Sequence, residues 1–335
     1  MSDFGLVSAA CRCADFILGT YLDVPIEKAT RLGTPEEFNL AVARLAAILR
    51  QHVDGFERGA IQAALATLDV DWAQTTSRQR AQLVAEAVHA ADGGLFGAAD
   101  SIRPPLEYAA KEVLGSTRHD VLRLQGLDIG TEFTALDERM MRFMTRSQTL
   151  YVRAEYGRRV EGLAESVRAS VAEGMQLGLG RDDIAAALAD VVGAELTGGT
   201  FYLEVVAGAF VGRGRSYGQI SSYSDAGIKN YRVEAVLDER TSEICRLLHG
   251  RVFSVAEALK KFAEGEELND PEALKHLNPW PRHDGHGLYL MEGKKRVNLT
   301  RRAGDIPHTD GALAAMGLGF PPYHGLCRTN TVALI

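Results

Sequence analysis

Residues 223–236 read Tyr223-Ser224-Asp225-Ala226-Gly227-Ile228-Lys229-Asn230-Tyr231-Arg232-Val233-Glu234-Ala235-Val236, and the character of the chain changes inside this stretch. A helical pattern runs to about Ala226 and stops at Gly227, the residue type that ends helices most readily because it accepts a left-handed backbone. From Tyr231 the residues alternate toward a strand. Before this point the dominant pattern is helical. Beyond Gly250 the sequence is rich in loops, with Pro271, Pro279, Pro281 and Pro307. The fold class is therefore mainly α with a small C-terminal α+β module, with short strands near 231–237 and 329–334.

Working outward toward the N-terminus, residues 36–56 place Phe38, Leu40, Ala41, Leu45, Ile48 and Leu49 at three- and four-residue spacing, with Thr34 and Glu37 forming a capping box ahead of them. Similar patterns follow over 59–68 and 76–91, separated by short polar breaks, which makes the N-terminal region a helical bundle. Pro104-Pro105 then punctuates the chain, and a polar stretch over 115–130 precedes the longest helical pattern, 136–177. In that long helix Val160, Leu163, Val167 and Val171 form an apolar stripe, with Arg153, Arg158, Arg159 and Arg168 among the other positions. Gly178-Leu179-Gly180 breaks it, and Arg181-Asp182-Asp183 opens a shorter helix. The organisation expected is a helical interaction region over 1–130, long helices over 131–230 and the α+β module over 231–335.

Composition narrows the function classes. With 46% hydrophobic and 24% charged residues the 335-residue chain has the balance of a globular protein. A net charge of -7 and a sequence pI near 5.8 exclude a surface that grips nucleic acid all over. Four cysteines, Cys11, Cys13, Cys245 and Cys327, are too few and too scattered for a disulfide scaffold and suit a reducing compartment. The first twenty residues lack a basic leader, and no apolar run approaches a membrane span, so neither a signal peptide nor a membrane partner is expected.

Two motifs lie in the C-terminal region. The first runs from Val236-Leu237-Asp238-Glu239-Arg240-Thr241 through Cys245 to His249-Gly250-Arg251-Val252-Phe253. The second is Pro321-Pro322-Tyr323-His324-Gly325-Leu326-Cys327-Arg328. In this order they resemble the central and closing motifs of the Mu F-like head-morphogenesis family of tailed bacteriophages. Glu173 to Gly178 and the approach from Tyr223 to Tyr231 extend the resemblance over about 139–328. It implies a non-enzymatic minor head protein that associates with the portal protein and other head proteins. Such a protein would sit in the virion, at the head interior or portal vertex, would occupy the host cytoplasm during assembly, and would be close to packaged DNA. The motif residues carried over are Asp238, Arg240, Thr241, Cys245, Gly250, Pro321, Pro322, His324, Cys327 and Arg328.

Each cluster admits two readings. Cys245 with His249, and His324 with Cys327, offer four soft ligands that suit a tetrahedral structural zinc. Alternatively the cysteines are small buried hydrophobes and no cofactor is held. Asp238, Arg240 and Thr241 read as a catalytic carboxylate beside an anion-holding arginine, or, more often, as a turn in which Asp238 accepts backbone N–H groups and pairs with Arg240 or Arg328. His283-Asp284-Gly285-His286 is commoner as an exposed turn than as half a metal site. Lys294, Lys295, Arg296, Arg301 and Arg302 form the densest basic cluster, able to meet DNA phosphates or an acidic portal surface, or simply to be solvated. Gly212-Arg213-Gly214 with Gly218 lies in a helical pattern with no strand before it, so it lacks the context of a nucleotide-binding loop. Two rival functions remain: a toxin-like or metal-dependent hydrolase using Asp238, His249 and His324, and a DNA-binding adaptor.

Overall fold

Residues 32–300 and 308–335 are described by the computed structural model. Cys11, Cys13 and the leader region read above, and Arg301, Arg302 and Pro307, lie outside the described residues. The first helix, α1 (Pro35–Leu68), begins at the expected box: the Glu37 amide donates to Thr34 Oγ1 at 3.2 Å and the Thr34 amide donates to the Glu37 carboxylate at 3.1 Å. It continues through Gly55 and Gly59, so the two helices expected over 36–68 are one. A 3-10 turn (Trp72–Gln74) follows, then α2 (Ser77–Leu95), the short α3 (Ala98–Ser101), α4 (Arg103–Gln125), α5 (Ala135–Gln176), α6 (Arg181–Leu196) and α7 (Gly199–Asp225).

The break expected at Pro104-Pro105 is instead the start of α4, and the polar segment expected over 115–130 is helix as far as Gln125. Proline is tolerated in a helix's first turn, where the backbone N–H groups have no partner in any case. The helix then runs on through Gly115 because Leu106, Ala110, Val113, Leu114 and Val121 bury one face. It stops before Gly126, which has φ +66°.

The chain divides into two compact units that interleave in sequence. One unit comprises Ile48–Arg103 and Thr149–Thr200. Its stripe of Val160, Leu163, Val167 and Val171 on α5 is buried. At its centre Glu57 is 1% exposed, yet its carboxylate accepts from Arg50 at 2.8 Å, from the Tyr156 hydroxyl at 2.7 Å and from the Gly198 amide at 2.7 Å. Three donors offset the cost of taking that charge out of water.

The other unit gathers Met1–Ala47, Pro104–Gln148 and Phe201–Ile335, so far as these are described, around α7. From Val206 to Tyr223 this helix is buried on every side. A helix surrounded in that way needs neighbours that come close, and its glycines allow it. A Cβ on Gly214 would sit 2.6 Å from Val113 Cγ1, and one on Gly218 would sit 2.8 Å from Thr117 Cβ, so this edge receives α4. A Cβ on Gly208 would lie 2.5 Å from the Gly325 carbonyl oxygen, and Gly212 faces Pro322, so another edge receives the closing motif. Near the C-terminal end of α7 the Arg118 guanidinium, 1% exposed, bonds Asp137 at 3.0 Å, Asp225 at 2.7 Å and the Gly130 carbonyl at 2.7 Å. The 45-residue stretch Arg181–Asp225 is long and apolar enough to cross a membrane by length and composition. That corrects the reading that no such run exists. Of its apolar window 29% is buried inside the fold.

After Gly227 (φ +69°) comes β1 (Asn230–Glu234), then α8 (Glu243–Leu248), β2 (Val252–Ser254), α9 (Val255–Glu266) and α10 (Pro271–Leu277). A hairpin sheet β3 (Arg282–His283), β4 (Leu288–Glu292) and β5 (Lys295–Asn298), which the sequence pattern did not reveal, precedes α11 (Asp310–Leu313), a wide turn (Ala314–Leu318) and β6 (Asn330–Leu334). The main sheet has the order β2-β1-β6, antiparallel throughout, with Tyr231 opposite Ala333 and Val233 opposite Thr331. These four residues, with Phe253 opposite Tyr231 on β2, form its buried face. Tyr223 of α7 stacks toward Tyr231 at 6.1 Å and donates its hydroxyl to the Thr331 carbonyl at 2.9 Å, joining helix to sheet.

The glycine contacts give opposite expectations for one substitution at two places. Alanine is the better helix former by about 1 kcal/mol, and Gly157, in α5 with nothing within 4 Å, should gain most of that as Gly157→Ala. Gly208→Ala meets backbone that cannot rotate away and should lose about 1–3 kcal/mol. Urea denaturation of both variants checks this; a stabilised Gly208→Ala would contradict the packing.

Candidate functional site

Asp238 stands just beyond β1, and its turn is built from its own atoms. The Asp238 amide donates to Thr241 Oγ1 at 2.8 Å, while the Asp238 carboxylate accepts from the Arg240 amide at 3.0 Å and from Thr241 Oγ1 at 3.0 Å. Arg328 closes it from 90 residues away, donating to the same carboxylate at 2.6 Å, whereas Arg240 stands off at 3.7 Å. The Arg328 hydrogen bond, opposed by some burial, holds the Asp238 carboxyl down from the ordinary 3.8 to about 2. Arg246 further ties the turn by donating to the Asp238 carbonyl.

Ser242 caps α8, accepting from the Cys245 amide at 3.4 Å, and the first turn of that helix buries Cys245. The closing motif, containing the cis Pro321-Pro322 bond, brings His324 and Cys327 to it. Cys245 Sγ lies 3.3 Å from His324 Nε2 and 3.7 Å from Cys327 Sγ, and both thiols are free and buried. The hydrogen bond to Cys327, with burial, pushes the Cys245 thiol well up. Burial works the same way on Cys327, but the hydrogen bond from Cys245 and the charge of His324 outweigh it and bring that thiol well below its ordinary value. The two thiols are thus pushed in opposite directions by their contact, Cys245 up and Cys327 down.

His249 does not join them, which corrects the four-ligand set. Its Nδ1 accepts the Ala235 amide at 3.1 Å beyond the end of β1, a position fixed by its place after α8. Gly250 follows with φ +82°, and its amide donates to the Val233 carbonyl at 2.8 Å, so the turn from α8 into β2 needs glycine there. Among the described residues, Cys245, His324 and Cys327 form the group able to hold a metal. Each residue of the hydrolase reading has a partner of its own: Asp238 is ion-paired with Arg328, His249 accepts the Ala235 amide and His324 lies against Cys245.

The other sequence candidates fall on the β3-β4-β5 hairpin. His283 Nε2 lies 3.1 Å from Glu243, and Asp284 accepts the His286 and Gly287 amides at 2.9 and 3.1 Å, a turn of the ordinary kind. Lys294 and Lys295 are exposed at the tip. Arg296 is engaged, 2.5 Å from Asp284 and 4.1 Å over the Tyr289 ring.

Sequence reasoning missed Arg215. It lies buried in α7, donates to the Thr329 carbonyl at 2.7 Å and covers the Phe38 ring at 4.5 Å, and burial lowers its pKa to about 10. It also missed Gln219 and Gln125, which bond the Thr331 carbonyl at 3.2 and 3.3 Å. An arginine in so apolar a helix was the available signal.

A mainly helical protein whose last strand is locked against a buried glycine-bearing helix, with a Cys/His cluster at the lock, is the class these contacts define. The chain belongs to the Phage Mu protein F like family, which matches residues 165–332, a span that takes in α7, both motifs and both sheets except the last two residues of β6. Membership points to bacteriophage head morphogenesis. No curated protein and no solved structure matches the chain.

Because the Asp238 pKa is lower in the folded chain than in the unfolded one, its stabilisation is complete above about pH 4 and is lost as pH falls through about 2. Asp238→Asn should cost about 1–2 kcal/mol at neutral pH, in line with a charge-assisted hydrogen bond. The gap to the wild type should narrow in urea melts between pH 4 and 2. A constant gap would show that the carboxylate charge contributes nothing.

Proposed function

We propose that this chain is a minor head protein that joins the portal vertex during assembly and stays with the packaged genome inside the head. Family membership over 165–332 is the observation that carries this reading. The motif residues support it by engaging one another: Asp238 with Arg328, and Cys245 with His324 and Cys327. Such a site holds a surface in shape and does not present a free nucleophile. Lys294 and Lys295, exposed on a hairpin tip, supply a local cationic point on a chain of net charge -7. They suit contact with DNA phosphates or an acidic portal surface.

Mass spectrometry of procapsids and mature particles from the phage or prophage that encodes the chain tests the proposal. The expected result is a constant amount, far below that of the major capsid protein, in both particles, with cross-links from Lys294 and Lys295 to portal protein or DNA. Absence from both particles would overturn the head assignment. Cross-links confined to the outer capsid surface would overturn the portal placement.

A further inference from the structure

We propose that Cys245, His324 and Cys327 are a zinc site with three protein ligands, its fourth position taken by solvent. A tetrahedral zinc with Zn–S near 2.3 Å and Zn–N near 2.0–2.1 Å separates two sulfurs by about 3.8 Å and a sulfur from a nitrogen by about 3.6 Å. The separations here are 3.7 Å between the sulfurs and 3.3 Å between Cys245 Sγ and His324 Nε2. All three ligand atoms lie within 4.8 Å of one another. The sulfurs, unbonded, thus stand at the spacing that two ligands of one ion require.

The donor set selects the metal. Two thiolates and an imidazole favour zinc over magnesium or calcium, which take oxygen ligands. Two thiolate charges cancel the charge of the ion, so the loaded cluster is neutral and its burial is inexpensive. Both sulfurs bind as thiolates, so whatever proton the pair carries goes to solvent on loading. Cys245 and Cys327 are 3% and 0% exposed while His324 is half-buried, which suits a solvent molecule as the remaining ligand. The ion would bind α8 to the closing motif across 82 residues of chain, restricting a long loop in the unfolded state. This reading is independent of the head assignment, since it concerns how the module is held.

The test is metal analysis of the full chain purified under reducing conditions, followed by cobalt substitution. One zinc per chain is expected, with a cobalt spectrum showing tetrahedral absorption and thiolate charge transfer. Cys327→Ser and His324→Gln should each lower metal content at least tenfold, whereas His249→Ala should retain it. Cys327→His, which keeps a ligand, should restore cobalt binding with weaker thiolate bands, separating loss of a ligand from loss of fold. A metal-free wild-type chain, a cobalt spectrum without thiolate bands, equal occupancy in Cys327→Ser, or a Cys245–Cys327 disulfide in the purified protein would each overturn the site.

Discussion

The close approach of backbone to backbone along α7 is the constraint from which the C-terminal architecture follows. Gly208 admits the Gly325 carbonyl, Gly212 admits Pro322, and Gly214 and Gly218 admit Val113 and Thr117. With the closing motif seated there, Arg215 reaches the Thr329 carbonyl and Gln219 and Tyr223 reach the Thr331 carbonyl. Those bonds fix the register of β6 against β1, and a one-residue slip would turn Thr331 and Ala333 out of the core. Side chains at the glycine positions would hold the two segments apart, and the polar bonds would lose their partners.

The same seating places the chemistry of the two motifs. Arg328 can reach Asp238, and Cys327 can reach Cys245, only because the strand that follows them is pinned. The polar residues of the motifs are thus mutually engaged, with the Asp238 carboxylate answered by a guanidinium and the two sulfurs 3.7 Å apart next to an imidazole. That arrangement ties the turn after β1 to the closing motif at two points.

How far the sequence speaks for itself depends on the range of the interaction involved. The helix-to-strand change at Gly227 and the stripe on α5 were legible because periodicity and helix stops are local. The Thr34 capping box was legible for the same reason. Pro104-Pro105 misled because a proline pair breaks a helix or begins one according to where the helix starts, which only tertiary burial decides. The hairpin β3-β4-β5 escaped notice because β3 and β5, with two and four residues, are too short to show alternation and lie in a stretch whose prolines and glycines read as loop. At the site, the residues of both motifs could be named, but His249 could not be separated from His324. Four-residue spacing from Cys245 suggested a shared ligand face, whereas the short helix α8 ends before His249 and turns its ring to the Ala235 amide. The glycines of α7 were visible, yet their meaning lay in what packs against them.

Native-state hydrogen exchange on the full chain reaches the central claim most directly, because it measures whether the closing strand and the buried helix open as one body. If β6 is held by α7 as described, the amides of Val206–Tyr223 and of Thr331–Leu334 should exchange with the same opening free energy, set by unfolding of the whole unit. If the β6 amides exchange through a much smaller local opening while α7 stays protected, the strand is an appendage and the seating of the closing motif on α7 is not what holds the module together.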